Sequence, residues 1–222
     1  MVYLLSNLFR LLWSVLWFVF KWSILGLYYA IVGVYNVITR LTLPSSGIVT
    51  WVGYGDTVRL DTGHYIRYIG LDAPEKHQPF YKESRDFNAS LILNKKVDLV
   101  YSGKLKDRHG RALAFVYRKS DGLFVNKEMV RAGWAYHYYK ETNPKFAKDF
   151  IAIQQAAIRA GCGYWGTGVL FKKNRVVATK SLIFHLPGCR HVKKIKNAQY
   201  FNSFSDAFYN GYAPCRECIG EN

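Results

Sequence analysis

From Leu11 to Ile38 the chain is apolar almost without interruption, LLWSVLWFVF and WSILGLYYAIVGVYNVI on either side of Lys21. A helix that spans a membrane needs about 20 apolar residues. Trp22–Ile38 is just long enough, and Lys21 at its edge can snorkel to the headgroups. A cleaved signal peptide is the rival reading, but the run is long for one and shows no A-x-A cleavage site. An interfacial helix fits Leu11–Phe20, with its tryptophans, better than it fits the later run. The expectation is an uncleaved membrane anchor within residues 1–44. Arg10, Lys21 and the amino terminus precede the span and only Arg40 closely follows it. By a thin margin of charge, the rest of the chain is then extracytoplasmic.

Beyond the anchor the composition changes. The chain carries 31 Lys+Arg against 15 Asp+Glu, a formal net charge of +16, and residues 1–46 contribute only Arg10, Lys21 and Arg40 to it. A basic field of that size attracts polyanions, either nucleic acid or an anionic membrane surface. Simple solubility is the bland alternative. Half of the residues are hydrophobic and 17% are aromatic, which excludes a disordered chain.

After a linker at Leu43-Pro44-Ser45-Ser46-Gly47, the pattern turns to β. Ile48–Val52 is apolar, Gly53 and Gly55 bracket a turn, and Thr57–Asp61 alternates with period two. Thr62-Gly63 reads as a hairpin turn and His64–Leu71 as a third strand. Lys96–Tyr101 and Ala112–Tyr117 are two more strands, rich in Val, Phe and Tyr. Helices are expected over Glu83–Asn94, after Asn126 as N-cap, and after Asn143 with Pro144 in the first turn. In the last of these, Phe146, Phe150, Ile153 and Ala157 form the buried stripe. Five short strands with three interleaved helices predict an α+β fold, an OB-type β-barrel over residues 45–170.

Three stretches gather groups suited to phosphodiester chemistry: Gly55-Asp56-Thr57, Arg67 to Glu75 (RYIGLDAPE), and Asp107-Arg108-His109-Gly110-Arg111. Asp56 and Asp72 are hard oxygen ligands suited to Ca²⁺. Glu75, across a proline from Asp72, is placed to orient or deprotonate water. Arg67 and Arg111 can contact phosphate bidentately, more strongly as charge develops. Taken singly, each residue has a structural explanation, such as a turn cap or a surface ion pair.

GDTVRL, IRYIGLDAPE and DRHGRALAFVY, followed by VNKEMVRAGWA and a closing helix near Trp165, resemble the signatures of the staphylococcal nuclease family in order and separation. The resemblance covers about residues 47–166. It implies Asp56, Asp72 and the Ala73 carbonyl as calcium ligands, Glu75 as the group that positions or activates water, and Arg67 and Arg111 as holders of the scissile phosphate. It also implies release of the 5′ oxygen, leaving 3′-phosphate ends. Tyr54 stands where the best-known member has another acid, a departure that weakens the metal site, and Ala73 replaces a threonine. Arg108 and the aromatic cluster Trp134, Tyr136, Tyr138 and Tyr139 follow the same stretches. Arg108, Tyr136, Tyr138 and Tyr139 are candidate substrate contacts, because bases stack on such rings, although core packing explains at least two of the tyrosines equally well.

A second signal lies in residues 171–222: His185-x₃-Cys189 and Cys215-Arg216-Glu217-Cys218. Four soft or borderline donors make the tetrahedral set that Zn²⁺ prefers, and such a site lets a small module fold. Outside the cytoplasm two of these cysteines can instead pair as a disulfide. The stretch resembles the zinc module of the Ada repair methyltransferase family, with His185 replacing a cysteine, which argues against transferring that family's methyl-accepting chemistry. His191 is a spare ligand, Cys162 a core cysteine, and Arg190, Lys193, Lys194 and Lys196 add a nonspecific grip on nucleic acid.

The resulting expectation is a membrane-held, calcium-dependent endonuclease, monomeric and without an organic cofactor, acting on DNA with little sequence preference, with RNA a further candidate substrate. The alternative is a noncatalytic, membrane-bound module for nucleic-acid binding or DNA capture. Binding alone would not require Arg67, Glu75 and Arg111 together.

Overall fold

The computed structural model describes residues 2–139, 144–168, 176–194 and 197–219. The chain divides into two compact units, Met1–Leu43 and Pro44–Asn222. The first is a single continuous helix, α1 (Val2–Thr42). Within it Phe20–Thr42, with mean hydropathy 1.4, is long and apolar enough to cross a membrane by length and composition. The apolar span therefore runs past Ile38, where the sequence pattern ended it.

The second unit is built on five strands: β1 (Ser46–Tyr54), β2 (Thr57–Leu60), β3 (Tyr65–Tyr68), and, after β4 (Leu71–Asp72) and α2 (Tyr81–Ile92), β5 (Lys96–Lys106) and β6 (Ala112–Arg118). They close a barrel in the order β1-β2-β3-β6-β5, antiparallel except for the parallel pair β3 and β6. Val49, Val58, Leu60, Ile66, Val97, Phe115 and Val116 are buried; β6 is buried on both faces, because helices pack on its outer side. The expected strands are present with different bounds. Gly53 lies inside β1 instead of opening the turn. The third predicted strand splits at Gly70 (φ +86°) into β3 and β4, and the short β4 pairs outside the barrel with β7 (Tyr136–His137).

Helix α3 (Val125–Arg131) begins one residue before Asn126, so Asn126 is not the N-cap; Phe124 is. Fully buried, the Asn126 side chain accepts from Val116 N–H (2.9 Å) and donates to the Ile69 carbonyl (2.9 Å). It thus stitches the helix to two strand segments whose backbone groups would otherwise lack partners. In α4 (Pro144–Ala160) Phe150 and Ala157 are buried as expected, but Ile153 is only half-buried and Gln154 is fully buried. The expected cap Asn143 lies outside the described residues.

The C-terminal segment forms a four-stranded sheet, ordered β10-β8-β9-β11, from β8 (Val176–Ala178), β9 (Ile183–His185), β10 (Gln199–Phe201) and β11 (Ala213–Pro214). Helices α5 (Phe204–Tyr209) and α6 (Arg216–Ile219) complete it. With the barrel it belongs to the compact unit Pro44–Asn222. Ala157, Tyr164 and Trp165 share one buried cluster with Val176, Phe184, Phe201 and Phe208. Gln154 bridges the two parts: its Oε1 accepts from His137 N–H and its Nε2 donates to the Phe208 carbonyl, both at 2.6 Å.

Asn126→Ala leaves a buried N–H and a buried C=O unpaired, each costing about 1–3 kcal/mol. Thermal melting of the full chain in detergent should show a Tm lower by on the order of 10 °C. An unchanged Tm would remove Asn126 from the account of barrel stability.

Candidate active site

The turn between β1 and β2 delivers Asp56. A side chain at Gly55 would sit 2.0 Å from Ser84 Oγ and 2.9 Å from Ala73 Cβ. Only glycine lets the turn lie this close to α2 and to the segment that follows β4. Thr57 pairs with Arg67 across β2 and β3, and Tyr68 N–H donates to the Asp56 carbonyl (2.8 Å), so Asp56 and Arg67 face each other. Asp72 is set by pairing with Tyr136 across β4 and β7.

Asp56, Arg67 and Asp72 are all buried, and the Arg67 guanidinium pairs with both carboxylates. Asp56 also accepts from Thr57 Oγ1 (2.8 Å) and Ala73 N–H (2.9 Å). Burial pushes the Asp56 carboxyl up, Arg67 opposes that, and Asp72 adds to it. Glu75 lies on the exposed side of this group, yet its pKa is also raised, first by partial burial of the carboxylate and then by Asp56 and Asp72. Three carboxylates around one buried guanidinium leave negative charge in excess. A site of that charge with hard oxygen donors accommodates a divalent cation.

Arg111, at the start of β6, is held by Asp107: its Nε donates to Asp107 Oδ2 (2.7 Å) and its backbone N–H to Oδ1 (3.0 Å). Its Nη1 also donates to Thr57 Oγ1 (3.2 Å), directing the guanidinium toward Asp56. Arg67 and Arg111 line one cleft of about 210 Å³, together with Lys104, Arg108, Tyr138 and Arg216. Five cations on one concave wall form an anion-binding surface of the size of a phosphate and its neighbours.

The structure brings together Asp56, Arg67, Asp72, Ala73, Glu75 and Arg111, and adds Arg108 and Tyr138 to the same cleft. Tyr136 is turned inward: its hydroxyl donates to Asp72 Oδ2 (3.0 Å) and its ring packs on Phe208. Tyr139 is exposed, and Trp134 packs against Phe80 and Tyr164. Sequence reasoning passed over Lys104 and Arg216. Lys104 lies on a β5 that runs longer than its apolar pattern, and Arg216 was hidden between two cysteines. Tyr54, half-buried beside Tyr81, has its hydroxyl pKa raised by burial and then by Glu75, which places it at the edge of the same site.

With this geometry in hand, comparison with known proteins is decisive. The staphylococcal nuclease homologue family matches residues 65–167, taking in Arg67, Asp72, Glu75 and Arg111. An Escherichia coli protein named an uncharacterized endonuclease is 41% identical over 124 residues, 54% of this chain and 76% of its own length. This chain belongs to the staphylococcal nuclease family. A thermonuclease of Staphylococcus hyicus is 31% identical over 120 residues, covering 50% of this chain and 70% of its own. An uncharacterized endonuclease of Haemophilus influenzae is 35% identical over 102 residues, covering 45% and 52%.

A second cluster lies in the C-terminal sheet. Donor atoms of His185, Cys189, Cys215 and Cys218 all fall within 4.8 Å of one another, and all four cysteines of the chain are free thiols. His185 Nδ1 is 3.5 Å from Cys189 Sγ, and Leu186 N–H donates to Cys218 Sγ (3.5 Å). Burial lowers the His185 pKa, keeping the imidazole neutral, and pushes the Cys218 thiol up to about 12. His191 sits just outside, 3.0 Å from Glu217, and Arg190 also pairs with Glu217. Lys196 lies outside the described residues.

Asp107→Asn should cut kcat about 10-fold with little change in Tm, because Arg111 loses its charged orienting partner while an amide oxygen can still accept from the His109 and Arg111 N–H groups. Steady-state kinetics beside thermal melting checks this; equal losses in both would mean that Asp107 acts on folding instead.

Proposed function

We propose that this chain is a calcium-dependent endonuclease that hydrolyses phosphodiester bonds in DNA, and in RNA, with little sequence preference, held at a membrane by α1. The observation that carries the reading is the group Asp56, Arg67, Asp72 and Glu75, closed on one side by the Asp107-oriented Arg111. Relatives named as endonucleases and a thermonuclease support it.

Asp56 and Asp72, with the Ala73 carbonyl, would hold calcium, which supplies positive charge against the phosphate. Glu75 orients a water and accepts its proton as the oxygen attacks phosphorus. Arg67 and Arg111 pair with the equatorial oxygens as their charge grows; losing one such contact typically costs about 2.7–4 kcal/mol of barrier. The 5′ oxygen departs, leaving a 3′-phosphate. Tyr138 and the exposed Tyr139 offer stacking surfaces, and Tyr136 positions Asp72 through its hydroxyl. Such contacts read no base edges, hence the low sequence preference.

His185, Cys189, Cys215 and Cys218 would hold a structural zinc ion. A tetrahedral site with Zn–S near 2.3 Å sets sulfurs about 3.8 Å apart, so donors already within 4.8 Å need only a small contraction. Zinc would also deprotonate a thiol that burial otherwise keeps protonated. The anchor reading rests on the length and composition of Phe20–Thr42, and the weak charge asymmetry favours an extracytoplasmic catalytic part.

Digestion of single- and double-stranded DNA by the full chain in detergent tests the activity. Cleavage should require calcium, stop with chelator, and fall at least about 100-fold in Glu75→Gln. Tight binding without cleavage in any divalent ion would favour the DNA-capture reading. For the second metal, elemental analysis should find one zinc per chain, lost in Cys218→Ser together with several degrees of Tm; a metal-free wild type with the same Tm would rule the ion out.

A further inference from the structure

Among the described residues, Arg216 is the cleft cation that the barrel does not supply. It is the first residue of α6 and lies between Cys215 and Cys218, two of the four clustered donors. Its guanidinium lies 3.9 Å from Asp72 Oδ1 and 5.8 Å from the centre of the Tyr138 ring. The side chain is 60% exposed, and it lines the cleft together with Arg67, Arg108 and Arg111. Its neighbour Glu217 faces elsewhere, toward Arg190 and His191. The backbone beneath Arg216 is fixed at both ends. Cys215 N–H donates to the Phe184 carbonyl (2.8 Å) where β11 runs beside β9, and Cys218 N–H donates to the Cys215 carbonyl (3.0 Å).

We propose that Arg216 is a substrate-binding residue of the nuclease cleft, contacting a backbone phosphate next to the scissile one, and that the His185-Cys189-Cys215-Cys218 cluster holds it there by binding a metal ion. The inference rests on the nuclease reading for the identity of the ligand, a nucleic-acid backbone. A guanidinium held by a cation–π contact with Tyr138 keeps N–H donors available to a phosphate. A tether with a cysteine ligand at either end limits how far Arg216 can wander once the metal is bound. The C-terminal sheet is thereby part of the substrate site rather than a separate grip on nucleic acid.

The experiment is fluorescence anisotropy of a single-stranded oligonucleotide with the full chain in detergent and calcium, over a salt series. Glu75→Gln serves as the background so that the probe stays intact, and kcat and KM are measured in the otherwise wild-type chain. Arg216→Ala should weaken binding and raise KM about 10-fold, leave kcat within about twofold, and reduce the slope of log K against log salt by about 0.7, one phosphate's worth. Arg216→Lys should keep the salt slope. Cys218→Ser should reproduce the Arg216→Ala change in slope, and the double variant should lose no more than either single one. An unchanged slope and KM in Arg216→Ala, with the wild type cleaving normally, would overturn the proposal. A Cys218→Ser chain that is folded by circular dichroism but has the wild-type slope would overturn its metal-held half. A wild type that binds but does not cleave would sink the nuclease reading alone, since the slope still reports whether Arg216 meets phosphate.

Discussion

The buried arginine between two buried aspartates is the constraint on which the rest of this structure depends. Arg67, Asp56 and Asp72 are each 5–6% exposed and come from three different places in the chain. Removing water from three charges costs several kcal/mol per ion, recovered only when the geometry is good and the remaining donors and acceptors are satisfied. The barrel provides this by pairing β2 with β3, turning at Gly55, and setting β4 against β7. Removing Arg67 would leave two buried carboxylates without their counter-charge, so this charged group and the barrel's integrity are hard to separate.

Around that centre the charge is graded. Negative groups collect at its mouth in Glu75, and cations line the adjoining cleft from two directions, the β5–β6 turn and the C-terminal α6. A phosphodiester backbone drawn into the cleft by its cations would meet the carboxylate end formed by Asp56, Asp72 and Glu75. The C-terminal sheet contributes through packing: Trp165 and Tyr164 at the end of the barrel domain lie in the same buried cluster as Phe184 and Phe208. Burying those rings together orders the segment that carries Arg216, even though its own strands are two or three residues long.

Much of this was legible in the sequence, and where it was not the reasons are specific. Apolar runs rich in β-branched and aromatic residues, with alternation in β2, located the barrel strands, and the apolar run of α1 announced itself by length. Asn126 misled because an asparagine near a helix start has two competing uses, capping its own helix or bridging other strands, and only packing decides between them. Gln154 was passed over for Ile153 because hydrophobic periodicity does not register a polar side chain whose partners are backbone groups from distant segments. Tyr136 and Tyr138 looked alike as neighbours of an aromatic cluster, but β7 ends at His137, so Tyr136 inside the strand sets its hydroxyl on Asp72 while Tyr138 beyond it lines the cleft.

The sequence by itself determined the family and its nuclease class, and it marked the acids and arginines that the fold brings together, because short motifs around turns fix local backbone and side-chain type together. It also determined which four side chains can serve as soft metal donors, since their spacing is written in the chain. Only the tertiary structure decided that Arg67 bridges both aspartates, that Asp107 orients Arg111, and that a cysteine-flanked arginine from the far end of the chain stands in the same cleft. Asp107 and Arg111 are only four residues apart, but the other relations join different segments of the fold and, for Arg216, positions more than a hundred residues away. They are fixed by strand register and by a shared buried core, neither of which leaves a local signature.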